Sequence, residues 1–208
     1  MRAETYFDNL ISESEIRIFI LVINKYMKIE KTSLVGQSLE DFINICEEYD
    51  VKSFRAKQIF NWVYKNNVSD FKAIKNMPKD FIDRLKKEYK IHSLNLVLST
   101  KSNSELTNKF LFKTQNGLLI ESVLMNEGER VTLCLSTQVG CALDCKFCAT
   151  AKMGFIENLN PGEIIDQFLL ISKNLKSPIT NIVFMGMGEP FLNYANVIKT
   201  ANLLHDPN

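Results

Sequence analysis

Apolar positions recur at helical spacing between residues 38 and 90. Ser38 and Asp41 form a capping box ahead of the run LEDFINICEEY. SFRAKQIFNWVYKN follows, with Phe54, Ile59, Phe60, Val63 and Tyr64 as expected core contacts. A third helix is expected to begin with Pro78 as its first residue and to run through PKDFIDRLKKEYK. It sets Phe81, Leu85 and Tyr89 near one stripe, with Arg84, Lys86, Lys87 and Lys90 projecting elsewhere. From about Leu94 the period falls to two. LNLVLST, NKFLFKT and LLIESVLM alternate as strands, and Asn116-Gly117 is a hairpin turn signal. RVTLCLST is a further strand, followed by a loop, a helix over 161–173, a strand over 179–185 and a helix from about Asn193. Strand, loop, helix, strand, helix opens a parallel α/β architecture. The predicted fold is therefore α/β, with helices before a boundary near 91, an antiparallel β segment over 92–128, and an α/β unit from 129.

Composition changes this picture little. The chain has 208 residues, 46% hydrophobic and 24% charged, as in an ordinary globular protein. The apolar run Ile18 to Ile23 is too short to span a membrane. Glu4, Asp8, Glu13 and Glu15 stand where the basic region of a signal peptide belongs, so a cytoplasmic protein with no membrane partner is expected. The net charge of +1 hides an asymmetry: residues 52–90 hold 11 Lys and Arg against 4 Asp and Glu, while residues 1–51 hold 5 against 10. Such a segment is either a solvated helix surface or a surface that meets phosphates.

The chemistry is concentrated in QVGCALDCKFCAT, residues 138–150, where Cys141, Cys145 and Cys148 fall in eight positions. Structural zinc takes four ligands, usually from two paired knuckles or from cysteine and histidine together. No second knuckle follows, and the histidines, His92 and His205, are remote in sequence. Cys134 is available as a fourth thiolate but lies in a strand seven residues upstream of Cys141. A cubane iron–sulfur cluster normally takes four thiolates, so three would leave one iron open to a substrate or cofactor. The remaining cysteine, Cys46, lies in a helical pattern and reads as a small buried hydrophobe.

C-x3-C-x2-C with an aromatic, Phe147, before the last cysteine resembles the signature of the radical S-adenosylmethionine (SAM) superfamily. The resemblance implies a [4Fe-4S] cluster on Cys141, Cys145 and Cys148, SAM on the open iron, and one-electron cleavage of SAM to a 5′-deoxyadenosyl radical. NIVFMGMGEP resembles the glycine-and-glutamate motif that holds the SAM amino group in that superfamily, which implicates Gly188 and Glu189 beside Phe147. The barrel expected is then the partial TIM type, with its chemistry at the C-terminal ends of the strands.

The likeness extends further. FRAKQIFNWVY, RVTLCLSTQVGCALDCKFCAT, GFIENLNPGEI and PITNIVFMGMGEPFLNY resemble the RlmN-type adenine-C2 RNA methyltransferases over about residues 27–208. This implies methylation of adenine C2 in 23S ribosomal RNA and, in many members, in transfer RNA. It also implies a flavodoxin- or ferredoxin-type electron donor, a monomer, and an RNA-binding accessory role for the helical domain, residues 27–91. A related adenine-C8 methyltransferase of the resistance type shares the cluster motif, and an inactive cluster- or RNA-binding fragment is the third reading.

Two further residues gain meaning. Alternation places Thr132, Cys134 and Ser136 on one face of their strand, and Cys134 matches the family cysteine that resolves a covalent enzyme–RNA adduct. Glu121 shares a face with Leu119, Val123 and Met125, and apolar neighbours favour the neutral form of a carboxyl, which suits a proton acceptor. Its alternative is an edge-strand charge meeting solvent or a cation; the family match thirteen residues before Cys134 supports the catalytic role. In the family a methyl-carrying cysteine lies in the C-terminal part, and no cysteine follows Cys148 here, so truncation is expected. Residues 1–26 have no family counterpart and are expected to be an extension.

Overall fold

The computed structural model describes residues 31–206. The expected extension, residues 1–26, lies outside them. Three helices come first: α1 (Leu39–Glu48), α2 (Phe54–Tyr64) and α3 (Lys79–Glu88). The Ser38–Asp41 capping box closes α1 as the sequence predicts. Pro78 is the residue before α3 rather than its first, a shift of one position. A two-stranded parallel ladder, β1 (Thr32–Ser33) with β2 (Tyr89–Lys90), ties the start of this helical part to its end.

A five-stranded sheet follows, built from β3 (Asn95–Lys101), β4 (Thr107–Lys113), β5 (Leu119–Glu127), β6 (Arg130–Cys134) and β9 (Asn181–Val183) in that spatial order. Its first four strands are antiparallel neighbours and β9 joins β6 in parallel, so the change from hairpins to α/β order falls where the sequence places it. Gly117 takes the left-handed conformation, φ 82°, in the turn between β4 and β5. The crossover from β6 to β9 contains α4 (Pro161–Ser172), and α5 (Tyr194–His205) follows β9 after a short 3-10 turn, Pro190–Asn193. A small hairpin, β7 (Gln138–Gly140) with β8 (Phe155–Asn158), is absent from the sequence reading.

Strand alternation explains the packing. Ile120, Ser122 and Leu124 of β5 are buried with Phe110, Phe112, Leu133 and Leu135 against Ile164 and Ile171 of α4. The other face of β5, with Leu119, Glu121, Val123 and Met125, is partly open. The helical part has its own apolar cluster around Phe42, Ile59, Phe60 and Leu85, completed by Ile165 and Leu169 of α4. Helix α4 thus serves two cores at once, which is why eight of its twelve residues are buried and none is fully exposed. Phe54 corrects the sequence expectation: it stands at the start of α2 with 55% of its surface exposed, while Ala56 fills the core position. Among the described residues no helix is long and apolar enough to cross a membrane.

Candidate active site

The three cysteines lie on one loop, and the fold grips that loop at its base. Strand β6 runs into β7, and the loop returns through the 3-10 turn Thr150–Met153 to β8. Cys141 donates its backbone N–H to the Gly154 carbonyl at 3.0 Å. Gly140 approaches that carbonyl so closely that a Cβ would lie 1.8 Å from it, and its φ is 74°. Within the loop, the Cys148 N–H reaches the Cys145 carbonyl at 3.0 Å and the Leu143 N–H points at the Cys141 sulfur at 3.4 Å. Cys141 is buried, Cys145 and Cys148 are part-exposed, and all five cysteines are free thiols. Phe147 projects into solvent, 94% exposed.

Hydrogen bonds from the backbone of Ala151, and from the backbone and side chain of Thr150, hold the Cys148 thiol below its ordinary range against a smaller opposing effect of desolvation. The thiolate is the metal-binding form, so the donor chemistry of this loop fits an iron–sulfur cluster. Among the described residues the sulfurs are not drawn together into a group of three metal-binding side chains.

The Gly186–Glu189 turn lies against the same strand segment. Gly186 packs so tightly on Leu135 and Ser136 that a Cβ would come within 2.8 Å of the Leu135 carbonyl carbon, and Gly188, at φ 98°, would meet the Gln138 backbone nitrogen at 2.8 Å. The Met187 carbonyl accepts from the N–H groups of Thr137 and Gln138 at 2.9 and 3.2 Å. The Gln138 side chain receives the Glu189 N–H at 2.9 Å and donates to Asn158 at 2.7 Å, so one residue joins the turn to β8. The Glu189 carboxylate caps the following 3-10 turn through the Phe191 N–H at 3.1 Å.

Ser136 and Gln167 pin this arrangement from beneath; sequence reasoning placed Ser136 on the face of Cys134 without a role and missed Gln167. The Ser136 hydroxyl donates to the Glu121 carbonyl at 2.5 Å and accepts the Met187 N–H at 2.8 Å. Gln167 of α4 accepts from the Ser122 hydroxyl at 2.6 Å and the Ser136 N–H at 2.8 Å, and donates to the Ser136 carbonyl at 2.9 Å. The available signal was Asp166-Gln167 inside an otherwise apolar helix, where a buried polar side chain must find partners.

Register brings Cys134 and Glu121 to one face. Cys134 is paired with Val123 on β5, two residues from Glu121, so all three side chains leave the sheet on its more open side. Burial raises the Cys134 thiol, partly offset by a hydrogen bond from the Met185 backbone. Glu121 departs from the sequence expectation of an apolar setting. Its carboxylate is 42% exposed and pairs with Lys109 on β4 at 3.0 Å. The reason is topological: on the face where Glu121 lies, its direct partner on β4 is Leu111, with Lys109 and Lys113 on either side of it.

Comparison with known proteins finds similar sequences and a similar fold. Residues 32–91 match the family model described as the ribosomal RNA large subunit methyltransferase N-terminal domain. A probable dual-specificity RNA methyltransferase RlmN from Pseudothermotoga lettingae is 40% identical over 174 residues, 84% of this chain and 51% of that protein. Its counterpart from Aquifex aeolicus is 41% identical over 175 residues, 84% of this chain and 50% of that protein. The crystal structure of a radical SAM methyltransferase from Sphaerobacter thermophilus superposes with a TM-score of 0.80 at 36% identity, covering 85% of this chain and 52% of that one. The chain therefore spans about half the length of the curated relatives it matches.

Proposed function

We propose that this chain, RlmN-like in its sequence and similar in fold to a radical SAM methyltransferase, carries part of a radical-SAM methyltransferase that methylates adenine C2 in 23S ribosomal RNA and in transfer RNA. The observation that carries the reading is a convergence. Strand β6 presents Cys134 beside Glu121 on one sheet face, leads through β7 into the three-cysteine loop, and is bound just past its end by the Gly186–Glu189 turn. Two of these features were separate motifs in the sequence, and the fold supports treating them as one site.

In this reading Cys141, Cys145 and Cys148 hold a [4Fe-4S] cluster, and Phe147, Gly188 and Glu189 contact SAM. When bound, cluster and SAM together supply a one-electron cleavage that starts radical chemistry at carbon, which an aromatic adenine C–H requires because it is not acidic enough for polar methylation. The chain's own residues do the rest. Glu121 accepts the proton leaving C2, with Lys109 beside it to hold the carboxylate over the sheet. Cys134 keeps its proton through burial until it is used to release the product. The basic helical segment holds RNA through phosphates, with Lys86 and Lys87 of α3 among the contributors. Flavodoxin or ferredoxin would deliver the electron to a monomeric cytoplasmic enzyme.

The test is methyl transfer from labelled SAM to protein-free ribosomal RNA under anaerobic, reducing conditions, using the protein at the full length of its relatives. The expected product is 2-methyladenosine, lost when Cys141, Cys145 or Cys148 is replaced by Ala. Anaerobic preparation should give about four irons per chain. Stoichiometric zinc with no cluster, or 8-methyladenosine as the product, would overturn the reading.

A further inference from the structure

The helical part carries an open surface cleft that the site above does not use. It opens where α1 ends and where α2 and α3 begin, and holds about 480 Å³. Its wall includes the Phe54 ring, three cations (Lys52, Arg55, Arg84) and two carboxylates (Asp50, Asp80). That volume is within the range of small-ligand sites.

The polar wall is organised. Arg55 lies 4.9 Å from the centre of the Phe54 ring, while its Nη1 donates to Gln58 at 2.8 Å and to the Asn76 carbonyl. Arg84 lies 4.6 Å from the centre of the Tyr49 ring and donates to the Tyr49 carbonyl at 3.3 Å. Each of these contacts engages one nitrogen of a guanidinium that carries five N–H donors, so both groups are positioned and still have donors to offer. Phe54 is the exposed large apolar residue in this set, against the expectation that it packs in the core. An exposed aromatic ring set beside cations offers a face on which a base can stack.

Ligand chemistry follows from the mixture. A bare anion would meet Asp50 and Asp80, and an apolar ligand would strand the arginines. A nucleotide answers every group: its base stacks on an aromatic ring, its phosphate meets arginine and lysine, and an amino group on the base donates to a carboxylate. We propose that this cleft binds one unpaired nucleotide of the RNA substrate, with its base on Phe54, its phosphate at Lys52 and Arg84, and an exocyclic amino group toward Asp50 or Asp80. The site rests on the RNA reading above and deepens it: phosphate contacts along the helices position the RNA, and a captured base fixes its register.

The experiment uses the isotope-labelled full chain with cytidine and uridine 5′-monophosphates and with single-stranded RNA pentamers. Expected are amide shifts centred on residues 49–55 and 78–84, larger for the cytidine nucleotide, whose base carries the amino group. Phe54→Ala should weaken pentamer binding about tenfold or more, and Phe54→Trp should retain it, since stacking needs only an aromatic face. Retention by Trp also separates lost stacking from a misfolded variant. Lys52→Glu should weaken binding and flatten its salt dependence. Phe54→Ala binding like the parent, or no shifts at these residues, would each overturn the proposal. If Phe54→Ala binds like the parent while Lys86→Glu with Lys87→Glu loses RNA affinity, the cleft assignment falls and the RNA reading stands. No affinity for RNA at any salt concentration ends both.

Discussion

The thiols of this chain differ in environment far more than their shared chemistry suggests. Cys46 is fully buried in α1, and burial with Glu47 nearby pushes it up to about 11. Cys134 is raised by burial, and Cys148 is lowered by hydrogen bonds in its loop. In metal-free protein, alkylation should therefore modify Cys148 before Cys134 as pH is raised, with Cys46 reacting only on unfolding. Mass spectrometry of labelled peptides across pH 6–9 gives the order, and early labelling of Cys46 would contradict it. Glu121 offers a separation of stability from chemistry. Its pair with Lys109 is half-exposed, and such pairs contribute about 0–1 kcal/mol. Glu121→Gln should leave the urea midpoint nearly unchanged while abolishing methyl transfer by the full-length enzyme; a large loss of stability would mean the residue is structural. The cysteines were legible in the sequence because their spacing is unusual. The surroundings of Glu121 were not, because the lysine that meets it comes from a neighbouring strand whose register only the fold sets.

At the scale of elements, α4 shows what periodicity hides. Its sequence marks a helix start well: Asn160 and Glu163 make a capping box, with Asn160 Oδ1 and the Glu163 N–H 3.0 Å apart and Pro161 in the first turn. Its apolar residues leave no clear polar face, because the sheet takes one side and the helical part the other. Burial raises the Glu163 carboxyl above its ordinary range, with the hydrogen bond from Asn160 opposing. A carboxyl whose folded value is raised adds stability that is complete below its unfolded value near 4.5 and is lost as pH rises through the folded value. Glu163→Gln keeps an acceptor for the Asn160 N–H and removes the charge, so its stability should be flatter with pH above 4.5. Denaturant titrations between pH 4 and 8 measure this, and parallel curves for both proteins would exclude the effect. The β7–β8 hairpin escaped the sequence reading for another reason. Strands of three and four residues are too short to show alternation, and the cysteine motif occupies the loop between them.

Across the molecule, the helical part and the sheet are joined at one buried carboxylate. The sequence places a boundary near residue 91, and the chain just beyond it turns onto α4 through Asp166, which is fully buried. The two oxygens of Asp166 accept from His92 Nδ1 at 2.6 Å, the Ser93 hydroxyl at 2.8 Å, the Leu94 N–H at 3.0 Å and the Ser93 N–H. Smaller ties support the same junction: Asn67 donates to the Leu169 carbonyl, Lys199 pairs with Asp41 at 2.9 Å, and the Gly36 and Gly162 backbones touch where no side chain would fit. None of this was visible beforehand, since His92 and Asp166 lie 74 residues apart. Replacing Asp166 by Ala leaves two backbone N–H groups, a hydroxyl and an imidazole without their acceptor in a buried site. Each stranded group costs about 1–3 kcal/mol before relaxation, and loss of a buried charge from its network costs about 3–5 kcal/mol. Asp166→Ala should therefore lower stability by about 3 kcal/mol or more. Asp166→Asn keeps one oxygen for the Ser93 and Leu94 N–H groups and lets the imidazole change tautomer to accept from the new amide, so its loss should be clearly smaller. Urea titration ranks the two variants. Hydrogen exchange then locates the damage: Ser93 and Leu94 amides should exchange faster in Asp166→Ala, while the first turns of α1, held by their own capping box, should change less. Equal and small losses for both variants would show that water replaces the carboxylate and that the junction is held by apolar packing alone.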